Sequence, residues 1–248
     1  MNIIEAKDYQ DMSKKAAEYL IEKIRHTPNI NLGMATGGTP EGMYKLLIAD
    51  HQKNHTSYKN VTTFNLDEYV GLSGDNPQSY RYFMDEKLFN HIDIPKSHTH
   101  VPKGDAADLN KQCADYETLI QEHGGVDLQI LGIGGNGHIG FNEPGTSFAS
   151  KTQVMELAPS TIEANARYFN SPEEVPGLAI TMGIATIMNS KEILLLISGE
   201  TKREALSRLL HDDEITENFS ASILKNHPHV TIIADKAALG NGISKQPV

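Results

Sequence analysis

Stretches typical of buried β-strands alternate with stretches typical of amphipathic helices along this chain. Apolar and β-branched residues mark the strand-like stretches, at residues 30–35, 61–66, 126–131, 192–197 and 230–234. Apolar residues at helical spacing mark the other stretches, at residues 11–25, 40–53, 78–89, 108–123 and 201–210. Because strands that alternate with helices pair in parallel, the sequence predicts an α/β fold. The expected architecture is an open, mostly parallel, doubly wound (Rossmann-like) sheet with helices on both faces.

The domain organisation is predicted to be simple. The 248 residues contain no internal repeat, low-complexity tract or linker, so we expect one domain over residues 1–248. Residues 159–177 differ from the rest, because turn-forming residues surround a short helical stretch in which Ser160 and Glu163 have capping-box spacing. We call residues 159–177 the lid segment, and the sequence leaves open whether it is a lid over a site or an irregular connection.

Composition excludes several classes of function. The formal net charge of −10 argues against a nucleic-acid surface, which needs clustered Lys and Arg. The longest apolar run, residues 193–197, is too short to span a membrane, and no signal peptide is visible. The single cysteine, Cys113, is expected to be a packing residue in a reducing cytoplasm. Two His-x-His pairs, at residues 98–100 and 227–229, lack a third ligand, so we expect no metal site.

A glycine-rich stretch follows the strand predicted at residues 126–131. It holds five glycines within residues 132–140, and His138 and Glu143 stand five positions apart at its end. The glycine spacing matches a dinucleotide fingerprint, but that fingerprint needs a helix, which Pro144 prevents here. Two interpretations remain, a purely structural loop and an active site in which His138 and Glu143 perform acid–base chemistry.

A second glycine turn, residues 36–42, joins the first predicted strand to its helix. Thr39 is expected to be the N-cap of that helix and Pro40 its first residue. Gly37 and Gly38 allow backbone N–H groups to point at an anion beside the positive end of the helix. Since no Gly-Lys-Ser/Thr follows, a nucleotide P-loop is excluded. Phosphate binding is favoured over a simple tight turn, because ligands bind at the carboxyl ends of strands in open α/β sheets.

Charged residues mark three further positions. Asp67 and Glu68 end the strand at residues 61–66 and should face opposite ways, so only one of them should enter the crevice, where it could act as a general base. Lys202 lies in the first turn of the helix predicted at residues 201–210, where a cation is unfavourable without an anion. Arg167 lies in the lid segment and could close over the same anion. Each of these residues alone has a structural or solvated alternative.

Three motifs resemble the glucosamine-6-phosphate deaminase family. They are residues 36–40 (Thr-Gly-Gly-Thr-Pro), 64–72 (Phe-Asn-Leu-Asp-Glu-Tyr-Val-Gly-Leu) and 137–144 (Gly-His-Ile-Gly-Phe-Asn-Glu-Pro). The resemblance covers nearly the whole chain in the right order. The second and third motifs are specific, whereas the first is shared with 6-phosphogluconolactonases, which have a related fold.

The resemblance implies conversion of glucosamine 6-phosphate and water to fructose 6-phosphate and ammonia, without a metal or an organic cofactor. It implies that His138 opens the sugar ring, that Asp67 moves the C2 proton to C1, and that Glu143 holds and polarises His138. The residues that it implies around the phosphate are Gly37, Gly38, Thr39, Arg167 and Lys202. The implied partner is a small sugar phosphate, with neither nucleic acid nor membrane, and the chain is expected to be a monomer or a small homo-oligomer.

The sequence departs from the family pattern in two respects. Many members have Asp where this chain has Asn136, which makes Glu143 the main anionic partner of His138. Allosteric, hexameric members have basic residues at the positions of Gln153 and Met155 and a tail longer than one ending at Val248. We therefore expect hyperbolic kinetics without activation by N-acetylglucosamine 6-phosphate. The alternative functions are a 6-phosphogluconolactonase-like hydrolase and a non-catalytic sugar-phosphate-sensing domain.

Overall fold

The computed structural model describes residues 1–240. Its strands are β1 (Asn2–Ala6), β2 (Asn31–Met34), β3 (Thr62–Asn65), β4 (Asp67–Tyr69), β5 (Thr99–His100), β6 (Leu128–Leu131), β7 (Gln153–Glu156), β8 (Leu178–Thr181), β9 (Glu192–Ile197) and β10 (Val230–Asp235). Its helices are α1 (Tyr9–His26), α2 (Gly38–Asn54), α3 (Tyr80–Lys87), α4 (Leu109–Glu122), α5 (Pro159–Asn165), α6 (Ile184–Met188), α7 (Arg203–His211) and α8 (Lys236–Leu239).

Seven strands form one parallel sheet in the order β1-β10-β9-β6-β2-β3-β5. The predicted parallel α/β fold is confirmed. From β2 the sheet grows through β3 to β5, whereas from β6 it grows through β9 to β10, so the direction reverses between β2 and β6. Ligands of open α/β sheets bind at such a switch point, beyond the carboxyl ends of the strands. The loops that follow β2 and β6 meet there.

The main core lies between this sheet and its helices. Strands β9 and β10 are buried on both faces, which explains why they read as continuous apolar runs. Helix α1 shows the expected one-sided pattern, since it buries Met12, Ala16, Leu20 and Ile24 and leaves its charged residues outside. Burial of a large side chain such as Met12, Leu20 or Ile24 stabilises the fold by about 1.5–3 kcal/mol. Within residues 1–240, no helix is long and apolar enough to cross a membrane.

A small antiparallel sheet, in the order β4-β8-β7, was not predicted from the sequence. Leu66 connects the two sheets, because its N–H donates to the carbonyl of Met34 while its own carbonyl accepts from the N–H of Met182. Beyond Leu66 the chain leaves the parallel sheet, and Asp67 pairs with Thr181 in the small one. Asp67 is thereby fixed at the carboxyl edge of the main sheet.

The lid segment contains α5, followed by two 3-10 turns at Ala166–Tyr168 and Pro172–Glu174. It packs on a second hydrophobic cluster, separate from the main core. The cluster and the lid side chains that touch it are Tyr69, Phe141, Leu157, Val175, Ala179, Ile162, Ala166 and Phe169. The lid segment is therefore attached to the strand that carries Asp67 and to the glycine-rich loop that carries Phe141.

Three predictions about helix starts are wrong. Helix α2 begins at Gly38 with Gly37 as its N-cap, two residues before the predicted start, so Thr39 is not the N-cap. The capping box of the lid segment is absent, because α5 begins at Pro159 and no side chain caps it. The helix predicted at residues 201–210 is divided into a 3-10 turn at Glu200–Lys202 and helix α7. Lys202 is consequently the residue that precedes α7.

Candidate active site

The turn between β2 and α2 is built for close approach of a ligand. Gly37 has φ of 87°, a left-handed conformation that favours glycine. Tyr9 of α1 braces the turn from below, since its hydroxyl donates to the carbonyl of Gly38 at 2.8 Å and accepts from the N–H of Gly42 at 2.9 Å. Thr39, the next predicted phosphate contact, is half-buried in the first turn of α2. We call residues 36–39 the phosphate turn.

Two cations are brought together beside the lid segment. Burial lowers the pKa of the Lys202 ammonium, and the positive charge of Arg167 lowers it further. Neither side chain forms an ion pair within residues 1–240. Repulsion between two such cations is relieved when an anion binds between them. Arg167 also stacks on the ring of Tyr168, which contacts the phosphate turn.

The turn that carries Lys202 is fixed by a buried carboxylate. Gly199 adopts φ of 95°, and its N–H donates to both carboxylate oxygens of Asp235 at 3.1 Å. Ser198 donates its hydroxyl to the same carboxylate, and the N–H of Ala238 in α8 donates at 2.8 Å. Asp235 therefore sets the position of the turn between β9 and Lys202.

Asp67 is a buried carboxylate without hydrogen-bond donors. Only 7% of the residue is exposed, and no group within residues 1–240 donates a hydrogen bond to its side chain. Burial raises the pKa of Asp67 to about 8, and the nearby charge of Glu68 acts in the same direction. A carboxylate in this state is a stronger base than an exposed aspartate.

Glu68 has a different role from its neighbour. Its carboxylate accepts hydrogen bonds from the backbone N–H groups of Tyr69, Tyr80 and Arg81, at 2.8 to 2.9 Å. Burial raises the pKa of Glu68, whereas these three N–H groups oppose that rise. Glu68 joins β4 to the start of α3 and is therefore a structural carboxylate. Asp67 makes no such hydrogen bonds within residues 1–240, as expected if only one of the two carboxylates enters the crevice.

Glu143 accepts hydrogen bonds on both carboxylate oxygens. Its Oε1 accepts from the Thr161 hydroxyl at 2.5 Å and from the N–H of Ala158 at 3.2 Å, and its Oε2 accepts from the Asn136 amide at 2.8 Å. Burial alone would raise the pKa of Glu143, but His138 and these side-chain donors outweigh burial and lower it to about 2. Glu143 is consequently ionised at neutral pH.

His138 lies between Glu143 and the glycines of its loop. The Nδ1 atom of His138 is 3.5 Å from Oε2 of Glu143, within ion-pair distance but long for a hydrogen bond. Its backbone N–H donates to the side-chain oxygen of Asn136 at 3.2 Å, so Asn136 connects the backbone of His138 to Glu143. A Cβ atom at Gly134 would lie 2.4 Å from the imidazole ring, so only glycine leaves room for the ring.

The glycine-rich loop also reaches Asp67. Gly140 has φ of 56°, and a Cβ atom there would lie 3.8 Å from Oδ2 of Asp67 and 2.9 Å from the Thr181 hydroxyl. The Thr181 hydroxyl in turn accepts from the N–H of Phe141 at 3.0 Å. The structure thus brings the loop of His138 and Glu143 next to Asp67.

Two contacts at this edge were missed by sequence reasoning. Thr161 of the lid segment was interpreted only as part of a capping box, yet its hydroxyl binds Glu143. Tyr168 of the lid segment was not considered, yet its hydroxyl accepts from the N–H of Gly38. The position of Tyr168 next to Arg167 was the one feature of the sequence that could have indicated this contact. Within the described part of the chain, no three His, Cys, Asp or Glu residues are grouped to hold a metal ion.

Comparison with known proteins identifies the family. Residues 7–232 match a family described as glucosamine-6-phosphate isomerases/6-phosphogluconolactonase. A glucosamine-6-phosphate deaminase of Halalkalibacterium halodurans is 59% identical over 239 residues, which cover 96% of this chain and 97% of that protein. The chain belongs to the glucosamine-6-phosphate deaminase family. Another family member, glucosamine-6-phosphate deaminase 1 of Bacillus subtilis, is 50% identical over 238 residues, which cover 96% of this chain and 98% of that protein.

Solved structures agree with membership of the deaminase family. A monomeric glucosamine-6-phosphate deaminase of the NagB superfamily has a TM-score of 0.94 and 50% identity, covering 96% of this chain and 98% of that one. A 6-phosphogluconolactonase from Trypanosoma brucei has a TM-score of 0.79 at 18% identity, covering 98% of both chains. The lactonase shares the fold alone.

Proposed function

We propose that this protein converts glucosamine 6-phosphate and water to fructose 6-phosphate and ammonia. One observation carries the proposal: Asp67, shielded and without donors, lies beside the loop that holds the His138–Glu143 pair. The phosphate turn follows β2 at the same edge of the sheet. Relatives that are 50–59% identical over 96% of the chain are named glucosamine-6-phosphate deaminases, which supports the choice of substrate.

His138 performs ring opening in this proposal. It takes the proton of the O1 hydroxyl and returns it to O5 as the C1–O5 bond breaks, which leaves an aldehyde at C1. The ionised Glu143 stabilises the imidazolium that forms between these two transfers, since Nδ1 lies 3.5 Å from the carboxylate. Asn136 orients the loop through its two hydrogen bonds but adds no charge.

Asp67 performs the isomerisation. It removes the proton from C2, the C1 oxygen takes up a proton from water, and a C1=C2 enolamine forms. Return of the proton from Asp67 to C1 gives an iminium ion at C2. Water adds at C2, and ammonia and one proton leave, which gives the ketone of fructose 6-phosphate and returns the proton taken up at the C1 oxygen. Because these steps are proton transfers, the addition of water and the loss of ammonia, the chain's own residues suffice without a metal or an organic cofactor.

The phosphate group is held at the other end of the sugar in this proposal. The N–H groups of Gly37 and Gly38 and the side chain of Thr39 bind it at the start of α2, where the helix dipole favours an anion. Arg167 and Lys202 neutralise its charge, and the unrelieved repulsion between these two cations supports that role.

The wider organisation follows from this site. The chain is one domain over residues 1–248 in this proposal, of which the structure describes residues 1–240, because the site draws on loops from both halves of the sheet. The lid segment covers the sugar phosphate. The solved deaminase that is 50% identical to this chain is monomeric, which supports a monomeric state for this protein. Cys113 is buried in α4, consistent with a packing role and with a cytoplasmic enzyme.

The alternatives are not favoured. The 6-phosphogluconolactonase from Trypanosoma brucei is 18% identical to this chain, which shows only the shared fold. A non-catalytic sugar-phosphate sensor would have no use for a buried base beside a histidine and an ionised glutamate at one edge of a sheet. Both alternatives predict that the amino group stays on the sugar.

Ammonia release tests the proposal. The purified protein is incubated with glucosamine 6-phosphate in the presence of a chelator, and ammonia and fructose 6-phosphate are measured. Galactosamine 6-phosphate serves as the comparison, since it differs only at C4. We expect ammonia and fructose 6-phosphate in equal amounts. Absence of ammonia from both sugars would exclude the proposed function.

A further inference from the structure

Tyr168, the residue after Arg167 in the lid segment, touches the phosphate turn. Its hydroxyl oxygen accepts a hydrogen bond from the N–H of Gly38 at 3.1 Å. A Cβ atom at Gly38 would lie 3.3 Å from the same oxygen, so the hydroxyl lies close against the backbone of the turn. The side chain is 37% exposed, and its ring supports the Arg167 guanidinium, whose Cζ is 4.9 Å from the ring centroid.

We infer that Tyr168 is an internal competitor for the phosphate site, because its hydroxyl occupies the amide of Gly38 that a phosphate oxygen would use. An N–H group has one hydrogen and serves one acceptor well. A charged phosphate oxygen is a stronger acceptor than a neutral phenol oxygen, so bound phosphate replaces the hydroxyl. The inference rests on the proposed function for the identity of the substrate, but it concerns any phosphate group at this turn.

The phosphate turn itself is held in place, which makes Tyr168 the partner that moves. The Tyr9 hydroxyl forms hydrogen bonds with the carbonyl of Gly38 and the N–H of Gly42. Tyr9 lies on α1 and packs against the main core, which fixes its position. Tyr168 lies in a 3-10 turn of the lid segment and has the more exposed side chain. Phosphate binding therefore detaches the lid segment from the turn at this point.

The hydrogen bond between the Gly38 N–H and the Tyr168 hydroxyl lowers the affinity of the ligand-free protein for phosphate, because it must break before phosphate binds. Tyr168→Phe removes the acceptor oxygen but keeps the ring on which Arg167 stacks, so it isolates the hydroxyl. We expect Tyr168→Phe to bind phosphate about 2–10-fold more tightly, the range to which one net hydrogen bond corresponds. A residue that holds phosphate would give the opposite result.

The test is a titration of the full-length protein with inorganic phosphate, in which broadening of the phosphorus-31 NMR signal measures binding. Tyr82→Phe is the matched control, because Tyr82 on α3 is also 37% exposed and its hydroxyl has no hydrogen bond within residues 1–240. The dissociation constant is expected to fall for Tyr168→Phe and to stay unchanged for Tyr82→Phe. Hydrogen exchange of the Gly38 amide, without phosphate, should be faster in Tyr168→Phe than in either other protein.

Two results would overturn the inference. Equal or weaker phosphate binding by Tyr168→Phe would show that the hydroxyl is no competitor. Equal exchange of the Gly38 amide in Tyr168→Phe and in the unaltered protein would show that the hydroxyl does not occupy that amide in solution. Neither readout needs catalysis. If Tyr168→Phe gains phosphate affinity while the unaltered protein releases no ammonia, the inference stands and the proposed function fails.

Discussion

Replacement of Glu143 by Gln tests the acid–base loop with almost no change of shape. Both carboxylate oxygens of Glu143 face donors, with Asn136 and His138 on one side and Thr161 and Ala158 on the other. A glutamine side chain has one acceptor and one NH2 group. In either orientation its NH2 group therefore faces a donor, and the negative charge beside His138 is lost.

The magnitude follows from the pKa of Glu143. The pKa falls from its ordinary value of 4.5 to about 2, so the folded state favours the carboxylate by about 3 kcal/mol. This contribution is complete above the unfolded pKa of 4.5 and is lost as the pH falls through about 2. Urea unfolding should show Glu143→Gln destabilised by roughly 3 kcal/mol at pH 7, and by less than half of that at pH 3.

Kinetics should show where in the reaction Glu143 acts. On the cyclic substrate we expect Glu143→Gln to lose about 100-fold in kcat/KM, because the negative charge that stabilises the imidazolium of His138 disappears. Asn136→Ala removes one hydrogen bond to Glu143 and should lose only about 10-fold. A 5-deoxy analogue cannot form the six-membered ring and should restore most of the activity of Glu143→Gln. Equal losses on the cyclic substrate and the analogue would refute the assignment of Glu143 to ring opening.

Three further predictions follow from the same site. Asp67→Asn should lose at least about 1000-fold in kcat. Its free energy of unfolding in urea, relative to that of the unaltered protein, should rise between pH 4 and pH 9, because burial raises the pKa of Asp67 to about 8 and ionisation of Asp67 therefore destabilises the folded state of the unaltered protein. A difference in stability that does not change with pH would contradict burial of this charge. Lys202→Met should raise KM about 10–100-fold with a smaller change in kcat. Lys14→Met is the control, because Lys14 is exposed on α1, and it should change neither constant. Equal values of KM for the two variants would show that Lys202 is not part of the phosphate site. Initial rates should be hyperbolic and indifferent to N-acetylglucosamine 6-phosphate, because Gln153 and Met155 carry no charge for its phosphate; a sigmoidal curve that this compound makes hyperbolic would contradict that.

The architecture of the main sheet was predictable because burial leaves a strong pattern. Strand β9 was predicted residue for residue, since a strand buried on both faces is continuously apolar. Strands β1 and β5, at the two edges of the main sheet, were not predicted. The short strands β4, β7 and β8 were also missed, because three or four residues carry no periodic signal and form by pairing with one another. The start of α2 was misplaced because Thr39 has the preferred chemistry of an N-cap, whereas backbone geometry places Gly37 there.

The position of the candidate site at the carboxyl edge was predictable, whereas its connections were not. Polar residues that follow β2, β3 and β6 must meet at one edge of a parallel sheet, which is a topological argument available from sequence. The bond between Thr161 and Glu143 and the bond between Gly38 and Tyr168 join residues 18 and 130 positions apart. Both depend on how the lid segment packs against the second hydrophobic cluster, and no local pattern encodes that packing.

Transfer of the C2 hydrogen tests the central claim most directly. Glucosamine 6-phosphate labelled with deuterium at C2 is given to the unaltered protein and to Asp67→Asn, and NMR follows ammonia release and the label at C1 of fructose 6-phosphate. Asp67 is only 7% exposed, so the deuterium that it takes from C2 exchanges slowly with solvent. We therefore expect the unaltered protein to carry part of the label from C2 to C1 while it releases ammonia. Asp67→Asn should do neither. Ammonia release at the unaltered rate by Asp67→Asn, or none by the unaltered protein, would contradict the proposed role of this site.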